Sequence, residues 1–178
     1  MIVKKDTPLI SMIRGGGQEW GKRGGTESVA LACAMAAALH ERTNKMLIGM
    51  KQIALCRDLL ITNLFRFVPD TYVNGPYTPG DVALRLPGNA NLSFLGVESQ
   101  ALVMALSAEG VYASSGSACT SGEADGSYVL RAMGYPASRA RSAVRFTLPY
   151  TVTEDDVLGA VPLIVSAVEK LRRLTPTP

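Results

Sequence analysis

Asn91 to Ser114 reads NLSFLGVESQALVMALSAEGVYAS, and this stretch decides the fold. Residues 91–94 look like a short strand, Val97 to Glu109 carries the apolar spacing of a helix, and Gly110 closes it. Val111 to Ser114 then reads as a second strand. Toward the C-terminus come a small polar loop from Ser115 to Gly126, a short helix through Met133 that stops at Gly134, and a third strand, Ala143 to Leu148. The last helix is signalled most strongly. Thr153 and Asp156 form a capping box, Glu154 and Asp155 sit in its positive first turn, and Val157, Leu158, Val161, Ile164, Val165, Val168 and Leu171 keep helical spacing. Such alternation predicts an α/β layer on a sheet of three or four strands.

Working toward the N-terminus, Pro69 to Gly88 is rich in turn residues and marks a boundary. A helix is expected before it, capped by Thr26, with apolar residues recurring to about Leu60. Asn44 and Gly49 weaken it midway, so a bend or split is expected there. Arg14 to Thr26, RGGGQEWGKRGGT, is a loop, since six glycines and four charges cannot build a regular buried element. Residues 1–13 read as one or two short strands interrupted at Thr7-Pro8.

Composition narrows the function classes. With 178 residues, 47% hydrophobic and 19% charged, the chain can bury a core and is not disordered. A net charge of +3 gives no reason to expect nucleic-acid binding. Residues 1–60 hold nine basic and five acidic side chains, so the small excess lies beside the glycine loop. The longest apolar run, Val29 to Leu39, is too short for a membrane span. No secretory leader is visible at Met1-Ile2-Val3, and the three cysteines form no CxxC pair. Together these predict a reducing, cytoplasmic setting.

Few residues here carry chemistry. Gly16-x-x-x-x-Gly21-Lys22 is nearly a P-loop, but Arg23 stands where Ser or Thr should hold magnesium. The glycines then serve either tight turns or anion capture where Thr26 meets a helix start. Cys119 lies in SSGSACTSG, among small polar neighbours that suit an accessible nucleophile, whereas Cys33 and Cys56 fall in the apolar helix pattern and read as packing residues. Three scattered cysteines and one histidine lack zinc-ligand spacing, so no metal is expected. Arg145, between Val144 and Phe146, is either a solvent-facing strand residue or a guanidinium that grips a carboxylate. Asn89 and Asn91 read as turn residues, and His40 as a surface one.

GGGQEWGKRGGTES, RLPGNANLSFLGVESQAL, SSGSACTSG, SYVLRAMG and VRFTLPYTVTEDDV together resemble the cysteine desulfurases of the NifS/IscS type, pyridoxal-phosphate enzymes of the class V aminotransferase group. The resemblance runs in the family's order over nearly the whole chain but covers only its C-terminal half. It implies part of a fold type I transferase, with residues 1–66 ending the large cofactor domain and supplying a connecting helix. Residues 67–178 would then form the small α/β domain that carries the cysteine loop.

The resemblance also implies a reaction: sulfur passes from L-cysteine to Cys119 as a persulfide, alanine leaves, and the sulfur goes on to iron–sulfur cluster assembly or thio-modification partners. Arg145 matches the arginine that binds the substrate carboxylate, and Thr26 a threonine that reaches the cofactor phosphate of the neighbouring subunit in a homodimer. The lysine that carries the cofactor, its adjoining histidine and the aspartate that pairs with the pyridine nitrogen have no counterpart here; Lys4 and Lys5 align instead with a basic strand end. Gln18 stands where several relatives carry histidine, and Pro149 where a glycine is common. The lone chain is therefore expected to need a complementary N-terminal half or a full-length subunit for turnover. The rival expectations are a non-catalytic sulfur acceptor or dimer partner, and a nucleotide-binding P-loop protein.

Overall fold

The computed structural model describes residues 3–115 and 126–174. They fall into two compact units, Met1–Lys45 and Met46–Pro178. One 39-residue helix, α1 (Val29–Phe67), runs from the first unit into the second. Neither Asn44 nor Gly49 interrupts it. The helix is not split there, because one poor helix former costs only about 1 kcal/mol, which a long run of i to i−4 bonds absorbs.

In the first unit the glycine loop precedes α1. Gly24 donates to the Ile13 carbonyl at 2.8 Å, and a Cβ on Gly24 would come within 2.6 Å of the Gly15 backbone nitrogen. Two glycine stretches thus pack main chain on main chain, which side chains would prevent. A single 3-10 turn, Gln18–Gly21, follows, with Glu19 and Trp20 both at positive φ. Residues 3–13 form no strand, contrary to the sequence expectation. A strand needs a hydrogen-bonding neighbour, and among the described residues none lies alongside. The helix starts later than expected: Ser28, not Thr26, immediately precedes it, and the Ser28 carbonyl accepts from Ala32 N–H.

The second unit is built around a four-stranded sheet. Its strands are β1 (Thr71–Val73), β2 (Asn89–Phe94), β3 (Ser114–Ser115) and β4 (Ala143–Thr147), in the order β1-β2-β4-β3 and antiparallel throughout. The helices are α2 (Ser99–Ala108), α3 (Tyr128–Ala132), α4 (Ala137–Arg141) and α5 (Glu154–Leu174). Strand alternation divides the residues cleanly. Ala90, Leu92 and Phe94 of β2 with Val144 and Phe146 of β4 enter the core, where Phe94 and Phe146 meet edge to face at 6.4 Å. Cys56, Leu60, Ile61 and Leu64 of α1, Leu102 and Leu106 of α2, and Val157, Val161, Ile164 and Val168 of α5 close over them.

The local signals at element ends hold. Asp156 N–H donates to Thr153 Oγ1 at 3.1 Å while Thr153 N–H and Oγ1 both donate to Asp156 Oδ2, a reciprocal cap on α5. Gly110 and Gly134 adopt the positive φ that ends α2 and α3. Two elements escape the sequence reading, β1 inside the turn-rich segment and α4 after Pro136, each too short for periodicity to show. The strand expected at Val111–Ser114 shrinks to Ser114–Ser115, and Leu158 on α5 proves half exposed. No described helix is long and apolar enough to cross a membrane.

Candidate functional site

The other face of the sheet is polar, and it carries Arg145. The register sets Asn91 opposite Arg145 on β2 and Ser114 opposite it on β3, so the three side chains share one face in a row across the sheet. Asn89 faces Thr147, and Ser93 faces Ala143 and Tyr72, on that same face. Asn89 and Asn91 are therefore strand residues, not turn residues as their type suggested. Arg145 is half-buried, and among the described residues its guanidinium has no hydrogen-bonding or ion-pairing partner. An arginine so placed holds its donors ready for an anion.

Two further arginines hold the floor of this face rigid. Arg139 on α4 stacks 4.1 Å over the Tyr135 ring and 5.2 Å from that of Tyr72, while its Nε donates to Asn74 Oδ1 at 2.7 Å and its Nη2 to the Val73 carbonyl at 2.6 Å. Asn74 is buried and donates to both Asn91 Oδ1 and Ser93 Oγ at 2.8 Å. Arg85 donates to the carbonyls of Asn74, Pro76 and Asn89 and to Asn89 Oδ1. Burial and the nearby Arg57 charge push the Arg85 guanidinium below its usual range.

The segment that leads into β2 is fastened to α1 as well. Arg57, fully buried, pairs with Asp58 at 2.8 Å and donates twice to the Asp81 carbonyl. Asp58 also accepts from Gly80 N–H at 2.6 Å. The Tyr77 ring lies 5.6 Å from the Arg57 guanidinium, and burial together with the Asp58 carboxylate pushes its hydroxyl up to about 12. Sequence reasoning missed Arg57, Asn74, Arg85 and Arg139. Each of them also bonds a partner 11 to 66 residues away, which no local pattern encodes.

The remaining sequence candidates are placed as follows. Cys119 lies outside the described residues, within 116–125. The chain enters that segment from Ser115, which pairs with Val144 on β4, and leaves it at Gly126, packed against the Ala140–Arg141 backbone. Both ends of the cysteine segment are thus tied next to the strand that bears Arg145. Thr26 stands exposed in the first unit, just ahead of α1. Cys56 is buried as expected, with burial pushing its thiol up. Cys33 is exposed, contrary to expectation, because nothing covers that part of the helix surface among the described residues. The glycine loop is not a P-loop: α1 begins seven residues beyond Lys22 instead of directly after it. No group of His, Cys, Asp or Glu among the described residues could hold a metal ion.

No protein-family model matches the chain. Curated relatives do: it is 38% identical over 173 residues to an IscS-like cysteine desulfurase of Mycobacterium tuberculosis and 35% identical over 176 residues to the cysteine desulfurase IscS of Dictyoglomus turgidum. These alignments take in 97% and 99% of this chain but 43% of each relative, so the chain spans about two-fifths of their length. Among solved structures, a NifS-like protein superposes with a TM-score of 0.76 at 25% identity, covering 94% of this chain and 41% of that one. The NifS-like protein of Rickettsia africae, at 24% identity and a TM-score of 0.70, shares the fold. In sequence and in fold the chain is a relative of the NifS/IscS-type cysteine desulfurases, corresponding to about two-fifths of such a protein.

Proposed function

We propose that this chain is the sulfur-accepting portion of a cysteine desulfurase, with Cys119 as nucleophile, Arg145 as the grip on the substrate carboxylate and Thr26 as a donor to the cofactor phosphate of a neighbouring subunit. One observation carries the reading. β3 pairs directly with the Arg145 strand and leads straight into the cysteine segment, so covalent geometry keeps the Cys119 Cα within ~14 Å of the Ser115 Cα. A carboxylate at Arg145 and a thiol on that tether can meet at one amino acid.

The donors present suit the outer groups of pyridoxal phosphate and its substrate. Thr26 offers an exposed hydroxyl close to the N-terminal end of a long helix, where a phosphate is favoured, and Arg145 offers a two-pronged donor for a carboxylate. Lys4 and Lys5 are solvent-exposed in an irregular segment, so neither is suited to carry the cofactor. When bound, pyridoxal phosphate supplies an electron sink next to the amino acid's Cα.

This chain's own residues do the rest. Arg145 fixes the amino acid by its carboxylate, which orients the side-chain sulfur toward the tethered thiol. The Cys119 thiolate attacks that sulfur, an S–S bond forms as the C–S bond breaks, and the released electron pair takes a proton to leave alanine. Cys119 keeps the sulfur as a persulfide for a thiol or scaffold acceptor. Domain roles follow: residues 1–66 belong with the large domain and 67–178 form the small one. The many exposed apolar side chains of the first unit, Ile10, Met12, Trp20 and Leu31 among them, support an assembly with the rest of a desulfurase or with a second subunit.

Mixing this chain with an N-terminal desulfurase half, pyridoxal phosphate and L-cysteine tests the reading. Alanine should appear and mass analysis should find one added sulfur on Cys119; C119S should abolish both. Persulfide on Cys119 with alanine made only by an intact desulfurase would instead mark the chain as an acceptor module.

A further inference from the structure

We propose that Asn91 is a second donor to the anion held at Arg145, with its amide locked donor-outward by a relay headed by Arg139. This rests on the reading of Arg145 as the carboxylate site.

A guanidinium only donates, so it sets the direction of every hydrogen bond downstream of it. Arg139 Nε donates to Asn74 Oδ1, which leaves Asn74 its NH2 group to turn toward Asn91 Oδ1 and Ser93 Oγ. The Ser93 hydroxyl, accepting from Asn74, passes its own proton to the Arg139 carbonyl at 2.7 Å and closes the circuit. No member can reverse without facing donor to donor. The Asn91 oxygen is therefore committed, and its two N–H groups are what it offers to the rest of the face, where its cross-strand neighbour is Arg145. Asn89 is polarised alike, because Arg85 Nη1 donates to its Oδ1 at 3.2 Å.

The consequence is a surface of one hydrogen-bonding sign. The positions of β2 and β4 on this face are Asn89, Asn91, Ser93, Ala143, Arg145 and Thr147, with no carboxylate among them. A carboxylate laid on Arg145 would gain an amide N–H from Asn91; with the amide reversed it would meet a carbonyl oxygen and be repelled. Asn74 and Arg139 are then positioning residues acting through Asn91. Their rigidity is visible in the burial of Asn74 and in the two rings that flank the Arg139 guanidinium.

The test is a 15N NMR titration of the full chain with L-alanine, and separately with sodium acetate, following the Asn91 side-chain amide and Arg145 Nε. Both signals should shift together with one dissociation constant. N91A should weaken binding about tenfold, the loss of one hydrogen bond to a charged group. N74D still accepts from Arg139 but loses the NH2 that faces Asn91; it should weaken binding and move the Asn91 amide signals before any ligand is added. If Arg145 shifts while Asn91 stays still, or N91A binds as tightly as wild type, this inference is wrong and the carboxylate reading of Arg145 survives. If neither signal moves in the wild-type chain, that reading fails and takes this one with it.

Discussion

The two halves of α1 are written in the same alphabet and meet opposite fates. Val29 to Leu39 is the most continuous apolar run in the chain, yet Leu31 is 72% and Met35 64% exposed. Farther along, the more mixed stretch from Ile53 to Leu64 buries Cys56, Arg57, Ile61 and Leu64 almost completely. Hydrophobicity alone did not choose between them. Burial requires a partner surface, and the second half finds one in the sheet and in α5, while the first half finds none among the described residues. A charged residue is thus entombed while a leucine faces water.

The largest expected effect falls on that entombed charge. R57A should cost about 3–5 kcal/mol in urea unfolding, since it strands Asp58 and frees the Asp81 carbonyl that holds the loop. A loss under 1 kcal/mol would mean the pair is a surface ion pair in solution. Next comes L64A, in the buried half of α1, expected at about 3 kcal/mol for lost transfer energy plus a cavity.

A local device that needs no distant partner stands between the two extremes. T153A should lose about 1 kcal/mol with the α5 cap, and amide exchange in the first turn should quicken. Its acid response has a definite sign. Hydrogen bonds from Thr153 hold the Asp156 carboxyl below the usual aspartate range, so its contribution is full above that range and fades as pH falls through the depressed value. The stability gap between wild type and D156A should therefore close in acid; a gap that widened there would reverse the assignment.

The smallest effect belongs to the exposed half. L31S together with M35S should change unfolding of the monomeric chain by no more than about 0.5 kcal/mol, while lowering the association seen by sedimentation. A loss as large as that of L64A would collapse the comparison, because it would place those side chains in a core.

Cys33 and Cys56 show the limit of pattern reading. Both fall in the apolar spacing of one helix, and only Cys56 is buried. The sequence by itself determined what depends on near neighbours: the α5 cap through Thr153 and Asp156, the glycine ends of α2 and α3, the strands around Asn91 and Ala143, and the motifs that tie the chain to the desulfurases. These signals act within a few residues, where spacing and chemistry are legible. Only the tertiary structure decided which face of β4 carries Arg145 among donors, that Asn91 and Ser114 flank it, and that Arg139 polarises the floor through Asn74. Those outcomes depend on strand register and on hydrogen bonds between residues far apart in the chain. Register is fixed by the packing of the whole sheet, not by any one segment of it.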